Sequence, residues 1–85
     1  MSTEDTHSPA KLVEFVVLSL VDDPDAVEVV SREEDHAIII EVRVAADDTG
    51  KVIGRQGRVV RALRTLARAS SSYVGGPHVE VEILD

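Results

Sequence analysis

The hydrophobic positions follow two periods in turn. Residues 9–21, PAKLVEFVVLSLV, are apolar nearly all round, with Lys11, Glu14 and Ser19 as a narrow polar strip. That pattern predicts a helix lying against a sheet. Ser8 is a good N-cap, and Pro9 suits the first helical position. The run stops at DDPD, where Pro24 disfavours helical geometry at Asp23. The period then changes to two. Val27 and Val29 alternate with Glu28, and in AIIIEVRVA the side chains of Ile38, Ile40, Val42 and Val44 face one way, with Ile39, Glu41 and Arg43 on the other. The polar EEDH between these β-branched runs makes them a hairpin. KVIG is one helical turn long. Gly54 closes it, and Gly57 opens a second helix, RVVRALRTLARASS. SSYVGGP reads as a loop. HVEVEIL is a last strand, with Val79, Val81 and Ile83 inward and Glu80 and Glu82 outward. The order is α-β-β-α-α-β, an α+β domain over residues 8–85. Residues 1–7, polar and acidic, read as a disordered tail.

Composition narrows the function. At 85 residues the chain is one small domain, marginal enough alone for self-association to help. It has no cysteine, so disulfides and thiolate metal sites are out. Phe15 and Tyr73 are its only aromatic residues, so the core must be aliphatic. The longest apolar stretch, FVVLSLV, is far too short to cross a bilayer. The N-terminus lacks the basic and apolar regions of a secretory signal. The expectation is a soluble cytoplasmic protein with no membrane partner.

Charge changes the picture. The net charge is -7, which alone argues against a nucleic-acid partner. Its distribution argues otherwise. Between Thr49 and Val79 lie six cations (Lys51, Arg55, Arg58, Arg61, Arg64 and Arg68) and no acid. This stretch is either a solvated arginine-rich helix face or the docking place of an anion. The helix after Gly57 helps to choose. Its first amides lack intrahelical acceptors, and its dipole places positive charge there. Arg58 and Arg61 nevertheless occupy its first turn, with Arg55 just outside, a local cost of a few tenths of a kcal/mol per cation by order of magnitude. An anion docked at this end would reverse the sign of that cost. Gly54 and Gly57, without Cβ atoms, allow close backbone approach. Walker A chemistry is excluded, because Arg58-Val59 follows Gly57 where Lys-Ser or Lys-Thr is needed. The dinucleotide fingerprint also fails, because Gly54 has no G-x-G partner. A bare G-x-x-G is weak, and fits a plain helix break with C-cap and N-cap glycines. Preceded by Val-Ile, set between two helices and followed by a basic helix, it is specific.

GKVIGRQGRVVRALRTL resembles the KH-domain signature, I-G-x-x-G between two helices, and the element order resembles the prokaryotic, type II KH fold. The chain from about Ser8 onward is similar to the small stand-alone bacterial KH proteins of the KhpA or YlqC family. The resemblance implies a three-stranded mixed sheet with helices on one face. It implies single-stranded RNA binding, with Ile53, Gly54, Arg55, Gln56 and Gly57 on the backbone of about four nucleotides. Lys51, Arg58 and Arg61 add charge around that loop. Val52, Ile53 and Val60 would line an aliphatic base groove, with Val79 and Val81 nearby. Arg55-Gln56 supplies a cation and an amide, whereas an acidic pair there would repel phosphate. The acidic surround, including Asp47-Asp48 and Glu80, predicts only moderate affinity. Family partners are a second copy of the chain and a larger Jag-type KH protein. The implied role is RNA chaperone or post-transcriptional regulator, linked to cell division and envelope growth. The rival reading is a dimerising adaptor with a KH fold and little RNA binding.

Other chemistry is thin. His7, His36 and His78 are not at metal spacing, and no Ser-His-Asp arrangement is evident, so neither an enzyme, a metal nor a cofactor is expected. Asp22-Asp23 and Asp47-Asp48 sit beside breaks as turn or cap residues. On the long helix, Arg61, Arg64 and Arg68 share one side, and Val60, Leu63 and Ala67 should face the sheet. Val59, Ala62, Leu66 and Ala69 widen the apolar arc. They form either extra contact with the first helix or a seam for another chain.

Overall fold

A computed structural model describes residues 8–72 and 78–84. Helix α1 spans Pro9–Leu20, and Ser8 Oγ accepts the Lys11 amide at 3.1 Å, the predicted N-cap. A 3-10 turn at Pro24–Ala26 leads into strand β1, Glu28–Glu34, which pairs antiparallel with β2, Ala37–Arg43. Glu34 lies opposite Ala37, so the hairpin turn is just Asp35 and His36. Both take positive φ, 49° and 66°, as a turn matching strand twist requires. Helix α2 is Thr49–Ile53 and α3 is Arg58–Ser72. Strand β3, His78–Leu84, then pairs parallel with β2. The sheet order is β1-β2-β3, mixed and three-stranded.

The alternation read in the sequence decides which face the helices cover. Ile40, Val42 and Val44 from the β2 segment and Val79 and Val81 from β3 are buried, together with Val13 and Val17 of α1, Val52 of α2, and Leu63 and Ala67 of α3. These form one aliphatic cluster. Burying such side chains contributes roughly 1.5–3 kcal/mol each. All helices therefore lie on one face of the sheet. The other face carries Arg32, paired with Glu34 and Glu41, and Arg43, paired with Glu28. Phe15 stands outside the core, 72% exposed. The tail at 1–7 and most of the predicted loop, residues 73–77, lie outside the described residues.

Candidate nucleic-acid interface

Between α2 and α3 the backbone is set by glycine. The Gly54 amide bonds Gly50 O at 2.8 Å and ends α2. Gly54 itself has φ 79° and ψ 168°, a region essentially reserved for glycine. There is also no room for a side chain. A Cβ on Gly54 would lie 2.5 Å from Val59 Cγ2 and 2.8 Å from the Val59 nitrogen. The chain then makes a 3-10 turn, Arg55–Gly57, in which Gln56 is left-handed at φ 57°, ψ 26°. The Gly57 amide closes it on Gly54 O at 3.1 Å, with φ 74° at Gly57. A Cβ at Gly57 would meet only Val60 Cγ1, at 3.9 Å. Gly54 thus seats the loop on α3, while Gly57 lies open.

The side chains sort accordingly. Arg55, Gln56, Arg58 and Arg61 are exposed around the turn. Ile53 and Val60 are half-buried, a shallow aliphatic wall beside it. Val52 is a correction: it is fully buried in the core and offers no surface to a base. Lys51 is exposed, but its ammonium sits 2.5 Å from Asp22 Oδ2 and 3.0 Å from Asp48 Oδ1. Its charge is largely spent behind the loop. Val59 is half-buried against the core beneath Gly54. It faces its own domain, whereas Ala62, Leu66 and Ala69 are exposed.

Sequence reasoning misses two features. The first is Asp48, the one buried polar or charged residue among the described residues. Instead of capping α2 with its side chain, it accepts the Asp22 amide at 3.1 and 3.2 Å, the Asp23 amide at 3.0 Å and the Lys51 ammonium. This carboxylate ties the end of α1 to the start of α2 and so holds the loop's base. The hydrogen bond from Lys51, helped by the two amides against the cost of burial, lowers the Asp48 pKa from the usual carboxylate value. Its partners, Asp22 first and then Asp48, raise that of Lys51. The second feature is Glu80 on β3. Its Oε2 bonds His78 Nε2, and its Oε1 lies 3.6 Å from Arg68 Nη2. Hydrogen bonding to His78 lowers the Glu80 pKa; burial opposes it, and the charges of His78, Arg68 and Arg64 each add a smaller lowering. The alternation gives Glu80 an outward direction, but not these neighbours.

The chain is similar to several known proteins. A family model described as the KhpA/KhpB KH domain matches residues 10–83. A protein of Caldanaerobacter subterraneus named RNA-binding protein KhpA is 51% identical over 61 residues, 72% of this chain and 81% of that one. The Streptomyces coelicolor protein of the same name is 48% identical over 73 residues, 86% of this chain and 87% of that one. The Borreliella burgdorferi protein, also so named, is 45% identical over 75 residues, covering 88% and 90%. Among solved structures, Aquifex aeolicus Era superposes with a TM-score of 0.62 at 21% identity, over 88% of this chain and 29% of that one. That likeness concerns the fold alone.

Proposed function

The chain belongs to the KhpA/KhpB family of KH domains, and from that premise we propose that it binds single-stranded RNA at the loop of residues 54–57. The observation carrying this reading is the loop itself. Gly54 and a left-handed Gln56 turn the backbone so that Arg55 and Gln56 stand exposed at the N-terminus of a basic helix. A phosphate there gains an arginine, an amide side chain and the positive end of α3. Ile53 and Val60 supply the apolar surface on which an unstacked base can rest. A duplex hides its base edges, so the site favours single strands. The bound RNA fits a chaperone or post-transcriptional role without catalysis, in the cytoplasm. No helix among the described residues is long and apolar enough to cross a membrane.

The test is Arg55→Asp with Gln56→Asp. Asp tolerates the left-handed position that Gln56 holds, so the fold should survive, as circular dichroism can verify. Binding to single-stranded RNA should fall at least tenfold, about 1.4 kcal/mol, and single strands should compete better than matched duplexes. A folded double variant that binds as well as wild type removes the site.

A second reading, the dimerising adaptor, draws on the outer helix surface. Leu66 is 42% exposed, flanked by exposed Ala62 and Ala69, and α1 adds Phe15. The partner proposed for α3 is a second copy of this chain, with a larger Jag-type KH protein as the alternative occupant.

A further inference from the structure

The arginine row continues beyond the loop, and its far end already holds an anion. At 100° per residue, Arg61, Arg64 and Arg68 fall within a ~60° arc of α3. This side of the helix meets β3, an edge strand of the sheet. Arg68 Nε donates to Val79 O at 3.1 Å, which fixes the guanidinium against the strand, with Nη2 3.6 Å from Glu80 Oε1. His78 reaches the same carboxylate from the strand. Two elements thus converge their cationic and donor groups on one carboxylate.

Resting on the RNA-binding reading above, we propose that Arg64 and Arg68 form a second phosphate contact for the bound strand, which Glu80 occupies in the free protein. The contact is easily exchanged. At 3.6 Å the Arg68–Glu80 pair is an ion pair without a close hydrogen bond, and its side chains are 46% and 38% exposed. Such pairs are weak. A phosphate can instead take two parallel N–H bonds from a guanidinium. Arg58 to Arg68 spans ~15 Å of helix, a length compatible with a strand of about four nucleotides starting at the loop. Glu80 therefore lowers affinity by competition at a defined place, beyond any long-range effect of net charge.

Glu82 supplies the control. It lies on the same strand and sheet face but is exposed, with no bonded partner among the described residues. Glu80→Gln and Glu82→Gln change net charge equally. Binding of a fluorescent, randomised single-stranded RNA 12-mer is measured for both across a salt series. Glu80→Gln should tighten binding roughly two- to fivefold and steepen the salt dependence by up to ~0.7 in log–log slope, one extra phosphate contact. Glu82→Gln should leave the slope unchanged. In an Arg64→Gln, Arg68→Gln background the gain from Glu80→Gln should vanish. Equal behaviour of the two glutamate variants overturns the competition while leaving loop binding intact. If neither wild type nor Glu80→Gln binds the RNA, both readings fall together.

Discussion

Gly54→Ala and Gly57→Ala place the same methyl group at either end of one loop, yet the structure assigns them very different costs. At Gly54 an alanine must adopt φ 79°, ψ 168°, which costs about 1–3 kcal/mol. Its Cβ would also lie 2.5, 2.8 and 2.9 Å from Val59 Cγ2, N and Cβ, about 1 Å inside normal carbon contact. Only Cγ2 can rotate away. The other two atoms belong to the first turn of α3, so the helix junction itself must move, a further 1–3 kcal/mol or so. Reduced freedom of the unfolded chain returns about 0.4–1 kcal/mol. The net is a loss of about 1–6 kcal/mol, centred near 3. At Gly57 the steric term is absent, because Val60 Cγ1 is 3.9 Å away. The left-handed backbone alone leaves a loss of about 1 kcal/mol. An 85-residue domain has roughly 4–13 kcal/mol in total. Urea unfolding followed by far-ultraviolet circular dichroism measures both losses from the midpoints at constant slope. Gly57→Ala should remain well folded, and Gly54→Ala should lose at least twice as much stability. Adding Val59→Ala should rescue Gly54→Ala only in part, since the backbone clash remains. Equal midpoints for the two glycine variants would show that Gly54 is not seated on Val59. The same asymmetry means that lost RNA binding in a Gly54 variant mixes instability with lost contact, whereas Arg55 and Gln56 variants test the proposed contact itself.

Three other perturbations probe separate parts of the molecule. Giving the hairpin turn an Asn-Gly pair, through Asp35→Asn and His36→Gly together, should raise stability by about 0.5–1 kcal/mol, because two non-glycine residues now hold positive φ; an unchanged urea midpoint would refute the turn geometry. Asp48→Asn should destabilise the fold at neutral pH. Because the folded-state pKa of Asp48 is lowered, its contribution is fully present above the ordinary carboxylate value and is lost as pH falls through the lower, folded value. The gap between wild type and variant should therefore be constant near neutrality and close in acid; a pH-independent gap argues against the charge. Leu66→Arg should leave monomer stability within about 1 kcal/mol, since this side chain is 42% exposed, while abolishing self-association in light scattering. A wild type that stays monomeric at high concentration removes the seam.

What is legible in the sequence follows from what local pattern can encode. The strands are plain because alternation in AIIIEVRVA and HVEVEIL is long enough to choose a face, and the structure buries Ile40, Val42, Val79 and Val81 on the helix side. The first helix is plain because Ser8-Pro9 and Pro24 punctuate it. The short α2 is not. Five residues give too little periodicity to decide which side faces inward, so the pattern cannot correct the family resemblance, which implies Val52 in the groove, or the charge run, which sets Lys51 beside the ligand. Asp48 is illegible for a different reason. Its partners Asp22 and Asp23 are separated from it by 26 and 25 residues, and only the folded chain brings them together. Read locally, an Asp pair beside a break is a turn. Glu80 can be placed outward, but its meeting with Arg68 depends on which strand forms the sheet edge.

The acidic balance of the chain also takes a different meaning once folded. Glu28, Glu34 and Glu41 pair with Arg43 and Arg32 on the sheet face away from the helices. Asp22 and Asp48 converge on Lys51 behind the loop. Beyond a Debye length of about 8 Å at physiological salt, the field of exposed acids is largely screened. What an approaching phosphate meets at close range is the exposed group of Arg55, Arg58 and Arg61. A net charge of -7 therefore limits long-range attraction without setting the sign of the potential at the loop. The uninterrupted basic segment is compatible with an acidic protein because the fold pairs several of the acids away from the loop's exposed arginines. The two populations meet at Lys51, with Asp22 and Asp48, and at Arg68, with Glu80.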